Sequence, residues 1–239
     1  MNSLRLIQWA TRLIVLLAIL LALVQVARWV AQRPWFDFKR VEVRGDVRHV
    51  TSAELRAAIA GRLAGNYFTL RLDEARRAVE TVPWVAQAAV RRVWPDLMVV
   101  ELTEHRALGL WDDGRLVSDA GVLFTANPAE AEVYGPLVEF GGPPALAGEV
   151  VRRHAAFAAA LAPLGHKVER VQVSERQSWS LATDAPLQLQ LGRDEPPGRV
   201  EERLAQVIAA YPQLAAHSTH PPRRIDARYP NGFAVAFAP

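Results

Sequence analysis

Residues 82–108 read VPWVAQAAVRRVWPDLMVVELTEHRAL. Two strand-like runs, at about 88–93 and 97–102, flank the turn Trp94-Pro95-Asp96. Pro95-Asp96 supplies the turn chemistry: the ring pre-sets one dihedral, and a short acid hydrogen-bonds its own main chain. In the second run Met98, Val100 and Leu102 fall on one side and Val99, Glu101 and Thr103 on the other, which is the two-residue period of a strand. The stretch predicts a hairpin. It carries Trp84, Trp94 and the doublet Arg91-Arg92 but no catalytic group, so its role has to be read from its surroundings.

Upstream, residues 38–44 (FKRVEVR) alternate as a strand that Gly45-Asp46 ends. Thr51-Ser52-Ala53-Glu54 has the capping-box pattern, with Thr51 as N-cap and Glu54 reaching back. Leu55, Ile59 and Leu63 then recur at helical spacing to about Ala64, and Gly65-Asn66 breaks the helix. A second helix is expected over 72–82, ended by Pro83, with Asp73 and Glu74 in the first turn, where the helix dipole favours acids. The order is strand-helix-helix-strand-strand. Within it Trp84 and Trp94 are expected to serve packing, in the core and at the seam with the next domain, rather than direct contact with a partner.

Before this unit, residues 13–24 (LIVLLAILLALV) contain no polar side chain, and widening the limits to 7–31 admits only Gln8, Thr11, Arg12, Gln25 and Arg28. Such a run predicts a membrane span whose arginines snorkel outward and whose Trp9, Trp29 and Trp35 suit the interfaces. A cleavable leader needs small residues at its cleavage site, where VQVARWVAQ offers Gln25 or Trp29, so an uncleaved anchor is expected. Arg5, Arg12 and the terminal amine favour an inside N-terminus, but Arg28, Arg33, Lys39 and Arg40 follow the span, and charge alone leaves orientation open.

At 239 residues, 51% hydrophobic and 22% charged, the chain has room for that anchor plus one or two modest domains and is too apolar to be disordered. Net charge is +3, and the bases, all Arg except Lys39 and Lys167, are scattered as doublets rather than gathered on a face. This fits a solvated mixed surface and argues against nucleic acid as a ligand. The absence of Cys excludes disulfides, thiolate chemistry, Cys-zinc sites and a lipoprotein anchor.

Downstream, residues 105–239 predict a mainly antiparallel β unit with two helices. Asp112-Asp113-Gly114 joins strands at 108–111 and 116–117, and Ser118-Asp119-Ala120-Gly121 turns into 122–124. The acids of these turns serve the turns. A helix is expected over 145–164, strands at 168–173, 179–183 and 187–191, a helix over 199–214, and closing strands at 225–229 and 233–237 joined through Pro230-Asn231-Gly232. The sequence contains no nucleophile elbow, Walker loop, S-x-x-K or H-E-x-x-H, and His217 and His220 lie in a polar, Pro-flanked loop. No catalytic set, metal site or cofactor site can be assembled, so the expected output is binding. The last strand ends the sequence at Pro239 and is a candidate sheet edge, with Phe233, Val235 and Phe237 on one face and the small Ala234 and Ala236 on the other.

Pro83-Trp84-Val85, Val90-Arg91-Arg92-Val93-Trp94-Pro95-Asp96, Val100-Glu101-Leu102-Thr103-Glu104 and Ala107 to Trp111 together resemble the FtsQ/DivIB family of bacterial cell division proteins. The resemblance spans the chain. Strand-helix-helix-strand-strand beyond a membrane anchor resembles the POTRA domain of that family. The family's closing pattern is matched by Arg228-Tyr229-Pro230-Asn231-Gly232 and Val235-Ala236-Phe237-Ala238-Pro239, although Phe237 stands where Trp is common and Ala236 where Gly is. The resemblance implies an α+β fold: a cytoplasmic tail at 1–12, a transmembrane helix at 13–33, a POTRA domain at 35–104 and a C-terminal β domain at 105–239. It implies a single-pass inner-membrane protein with the N-terminus in the cytoplasm and its bulk in the periplasm, concentrated at the division septum. It also implies a non-enzymatic divisome scaffold that binds FtsB and FtsL through the β domain, links early to late division proteins and helps control septal peptidoglycan synthesis. Other divisome proteins would dock on the POTRA domain. The partner-binding residues it implies are Tyr229, Phe237, Asn231, Gly232, Arg228, Arg176, Phe233 and Val235. No cofactor, nucleic acid or small-molecule substrate is expected. The alternative, a POTRA component of secretion or outer-membrane assembly, calls for repeated POTRA units or a barrel, and a wall hydrolase calls for a nucleophile or metal set.

Overall fold

Thr51 accepts the Glu54 N–H on its hydroxyl at 3.2 Å while the Glu54 carboxylate takes the Thr51 N–H at 2.8 Å, so the expected capping box closes. The computed structural model that shows this describes residues 2–45, 47–60, 65–185, 187–230 and 232–237, with side chains left aside at 2–6 and 132. The turn expected at Asp46, the helix end expected near Ala64, Asn231 and the closing Ala238-Pro239 lie outside the described residues. The chain divides into two compact units, Met1–Glu104 and His105–Pro239.

In the first unit α1 (Asn2–Ala31) contains a span, Ile7–Ala31, long and apolar enough to cross a membrane. Beyond a 3-10 turn at Pro34–Phe36 come β1 (Arg40–Arg44), α2 (Ser52–Ile59), α3 (Leu72–Val79), β2 (Val85–Val93) and β3 (Leu97–Glu104). β3 is central, parallel to β1 and antiparallel to β2 across the Trp94-Pro95-Asp96 turn. Leu55, Ile59, Ala75 and Val79 of the helices and Met98, Val100 and Leu102 of β3 are buried, as alternation requires of the covered face. Val99 on the other face is buried too, because the register sets it between Glu42 and Arg91. α3 stops three residues short of Val82. Pro83 disfavours helical backbone before it, and the chain tightens instead, with Thr81 Oγ1 donating to the Ala78 carbonyl at 2.7 Å and Val82 N–H to Val79 at 3.0 Å.

The two tryptophans of the opening stretch part company. Trp84 is 4% exposed and stacks on the His49 ring at 4.0 Å. Trp94, expected to pack inside, is 59% exposed. It sits at the hairpin tip and touches only the rings of Phe36, Tyr67 and Phe68 among the described ring contacts. The buried Glu104 carboxylate at the end of β3 accepts the N–H groups of Arg48, His49 and Val50 at 2.8–3.1 Å and meets His49 Nδ1 at 3.0 Å. This anchors the loop that leads into α2.

In the second unit β4 (Ala107–Trp111), β5 (Leu116–Ser118), β6 (Leu123–Phe124), β7 (Val138–Gly141), β8 (Val168–Val173), β9 (Ser178–Thr183), β10 (Gln188–Arg193), β11 (Pro222–Asp226) and β12 (Ala234–Phe237) form one sheet. Its order is β12-β11-β10-β9-β8-β7-β4-β5-β6. Most pairings are antiparallel, but β4–β7, β7–β8 and β10–β11 are parallel; in the last two α4 (Ala147–Leu161) and α5 (Arg199–Ala216) carry the chain back between the strands. Phe157 and Leu161 of α4 and Val200, Leu204 and Val207 of α5 close over Val171, Leu181, Leu189 and Ile225 of the sheet. The turn acids are structural: Asp112 accepts the Gly142 N–H at 3.0 Å and Asp113 pairs with Arg115 at 2.6 Å.

Candidate partner-binding edge

The closing strands are placed by what happens at one end of the sheet. β10 and β11 run parallel with Gln190 opposite Asp226. Just beyond that level β10 is irregular, and Gly192 there has φ +78°; a Cβ would press on the stem of Arg228 at 3.0 Å. Both the backbone and the close approach call for glycine. Asp226 accepts the N–H of Arg228 at 3.1 Å and binds its guanidinium through Nε at 2.8 Å and Nη2 at 2.6 Å. That hydrogen-bonded guanidinium holds the Asp226 carboxyl below its usual range. The local clasp takes the chain out of the ladder. The strand expected at 225–229 therefore lies at Pro222–Asp226, and Arg228, expected to await an acidic partner group, is already engaged by Asp226.

Arg176 comes to the same end of the sheet by another route. It sits in the tight turn between β8 and β9, beside Gln177, whose φ of 57° is left-handed. That conformation costs about 1 kcal/mol for a residue other than glycine. The turn is held by Gln177 N–H on the Ser174 carbonyl at 2.7 Å and Ser178 N–H on the Ser174 hydroxyl at 3.1 Å. Arg193, opposite Ser178 at the end of β10, donates Nε–H to the Arg176 carbonyl at 3.0 Å. The Arg176 side chain is exposed. β10 thus carries both basic positions at one end, Arg176 beside Arg193 and Arg228 over Gly192. Sequence reading singled out neither Gly192 nor Asp226, although a glycine inside a strand pattern is itself a signal of close backbone approach.

β12 is the outermost strand and pairs with β11 alone, Val235 opposite Ile225 and Phe237 opposite Pro222. Its outer N–H and C=O groups face away from the sheet. Tyr229, before the strand, is 58% exposed. Phe233 and Val235 pack partly against the core of the unit, so two of the expected contact residues also hold the strand down, and Phe237 is half-buried. Ala234, Ala236 and Gly232 are exposed. Phe237 lies about 10 Å along the strand from Ala234, at the opposite end from Arg228. The predicted residues therefore fall into an end cluster (Arg176, Arg228, Tyr229, Gly232) and an edge (Phe233, Val235, Phe237).

The sequence that builds this arrangement has matches among known proteins. Residues 36–105 match the family model described as POTRA domain, FtsQ-type, and residues 109–228 match the model Cell division protein FtsQ/DivIB, C-terminal. The chain belongs to the FtsQ/DivIB family of cell division proteins. It is 38% identical to the cell division protein FtsQ of Burkholderia pseudomallei over 99% of this chain and 94% of that one. The FtsQ proteins of Bordetella pertussis and Xanthomonas campestris are 35% and 36% identical, across 100% and 98% of this chain and 93% and 80% of theirs. With its one N-terminal apolar helix, the FtsQ-family chain reads as a single-pass membrane protein. The C-terminal FtsQ match closes at Arg228, so Tyr229 and β12 lie beyond the matched segment. Among the described residues no group of three or more His, Asp or Glu is placed to hold a metal ion.

Proposed function

We propose that the chain is a non-enzymatic scaffold of the bacterial division machinery. It is anchored in the inner membrane with its N-terminus in the cytoplasm and both folded units in the periplasm. It gathers FtsB and FtsL at the septum through β12 and the adjoining end of the sheet, links early to late division proteins and so helps control septal peptidoglycan synthesis. The observation that carries this reading is the position of β12: an outermost strand with one partner, flanked by an exposed tyrosine. An added strand completes such a ladder with main-chain hydrogen bonds, and aromatic and arginine anchors set its specificity. Depleting the protein from its host tests the role: cells that filament and lose FtsB from midcell support it, and normal division with FtsB at midcell contradicts it.

A further inference from the structure

A group of aromatic rings stands where α1 leaves its apolar span. The buried Asn66 donates Nδ2–H to the carbonyls of Ala31 at 2.6 Å and Arg33 at 3.3 Å. Its Oδ1 accepts the N–H groups of Phe68 at 3.0 Å and Thr69 at 3.2 Å, so one amide latches the helix end to the turn before α3. The Tyr67 N–H adds a bond to the Phe36 carbonyl at 2.8 Å. Around this latch the rings meet, Phe36 and Phe68 at 5.0 Å, Tyr67 and Trp94 at 5.3 Å, Phe36 and Trp94 at 5.9 Å. Rings that gather in this way are ordinarily covered. Here Trp94 is 59% exposed, Phe68 49% and Trp35 78%.

The length of the helix says what covers them. The span of 25 residues rises about 37 Å, against a hydrocarbon layer of about 30 Å. The excess puts the helix ends in the headgroup layers, and the latch keeps the aromatic group at the level of Ala31. Aromatic rings prefer that layer, where an apolar body and a polar tip are both accommodated. The bases Arg33, Lys39 and Arg40 outnumber the acids Asp37 and Asp96 beside the group, which suits anionic headgroups.

We propose that the face of the first unit bearing Trp35, Phe68 and Trp94 rests in the interfacial layer of the membrane that α1 spans, and so fixes how this unit stands on the bilayer. This rests on reading α1 as a membrane span. The chain lacks cysteine, so single spin labels can be placed without further changes. The full chain is reconstituted into bilayers of phosphatidylethanolamine and phosphatidylglycerol with labels at Phe68→Cys, Trp35→Cys, Thr103→Cys or Leu20→Cys. Collision rates with oxygen, which concentrates in lipid, and with a water-soluble nickel chelate are then compared. Thr103 is about 20 Å along β3 from the hairpin tip. Oxygen access should exceed nickel access at Phe68, Trp35 and Leu20, and the order should reverse at Thr103. Trp35 lies in the short 3-10 turn after α1 and is 78% exposed, so its label reads the layer even where the Phe68 variant folds poorly. Oxygen-dominated access at Leu20 with nickel-dominated access at Trp35 and Phe68 overturns the interfacial face alone. Nickel-dominated access at Leu20 as well overturns the membrane span and the proposal with it. Low access to both reagents at Phe68, unchanged when detergent replaces lipid, assigns the face to protein contact and also overturns it.

Discussion

Trp84 and Trp94 stand ten positions apart in one recognisable motif and do different things. Trp84 is enclosed by the first unit, and truncation to alanine should cost about 3–5 kcal/mol, the usual range for a buried large aromatic. Trp94→Ala should cost only about 1–2 kcal/mol, since more than half of the ring is already in water. Chemical unfolding of each variant, followed by circular dichroism, checks the difference. The sequence showed the tryptophans but not which was inside, because hairpin periodicity says nothing about how far the covering helices reach along the strands. Glu104 was legible only as a motif position, yet its carboxylate gathers three backbone N–H groups and the His49 ring. Burial pushes its pKa up, but those donors outweigh burial and hold it below the ordinary 4.5. A lowered carboxylate stabilises the fold fully above the ordinary value, and the contribution is lost as pH falls through the lowered one. Wild type should therefore exceed Glu104→Gln in stability by about 2–3 kcal/mol at pH 7, with the gap narrowing below pH 4.5. A gap independent of pH would remove the charge from the explanation.

The elements differ in how plainly they were written. α2 is announced by its capping box and β2–β3 by a turn between alternating runs; α2 starts where read but ends at Ile59 rather than near Ala64, and the two strands run three and two residues longer than read, from Val85 and to Glu104. β7 was missed. Its four residues, Val138–Gly141, lie between a 3-10 stretch and Gly142-Pro143-Pro144, and a strand with neighbours on both sides need not alternate. β11 was read three residues late because apolar Ile225 and Ala227 continue the pattern while the Asp226–Arg228 clasp ends the pairing. That clasp separates two arginines that look alike in sequence. Arg228→Glu would set a second acid against Asp226 and should lower the melting temperature as well as any affinity for a partner. Arg176→Glu reverses an exposed charge and should leave the melting temperature unchanged. It should weaken binding to FtsB, and added salt should shrink the difference from wild type. Thermal melts with titrations at two ionic strengths distinguish the two.

The whole chain reads as one apolar helix followed by two folded units, and on the proposed reading its work at a division site comes from where it is held and what it holds. A reporter fused after residue 239 should be active as a periplasmic enzyme; activity only as a cytoplasmic reporter would reverse the orientation. The family was legible from the opening stretch, whereas the division of the proposed binding residues between an end cluster and an edge required the register of β10, β11 and β12. Binding energy at an interface concentrates in a few anchors; Tyr229 is exposed, and Phe237 is half-buried without being packed on the core as Phe233 is. The most direct measurement is titration of the full chain, held in nanodiscs, with the periplasmic segment of FtsB, comparing wild type with the Tyr229→Ala, Phe237→Ala double variant. The variant should keep its circular dichroism spectrum and lose at least about 2 kcal/mol of binding, roughly thirtyfold in affinity. Wild-type affinity in a well-folded double variant would contradict the assignment of β12 as the edge that holds the partner.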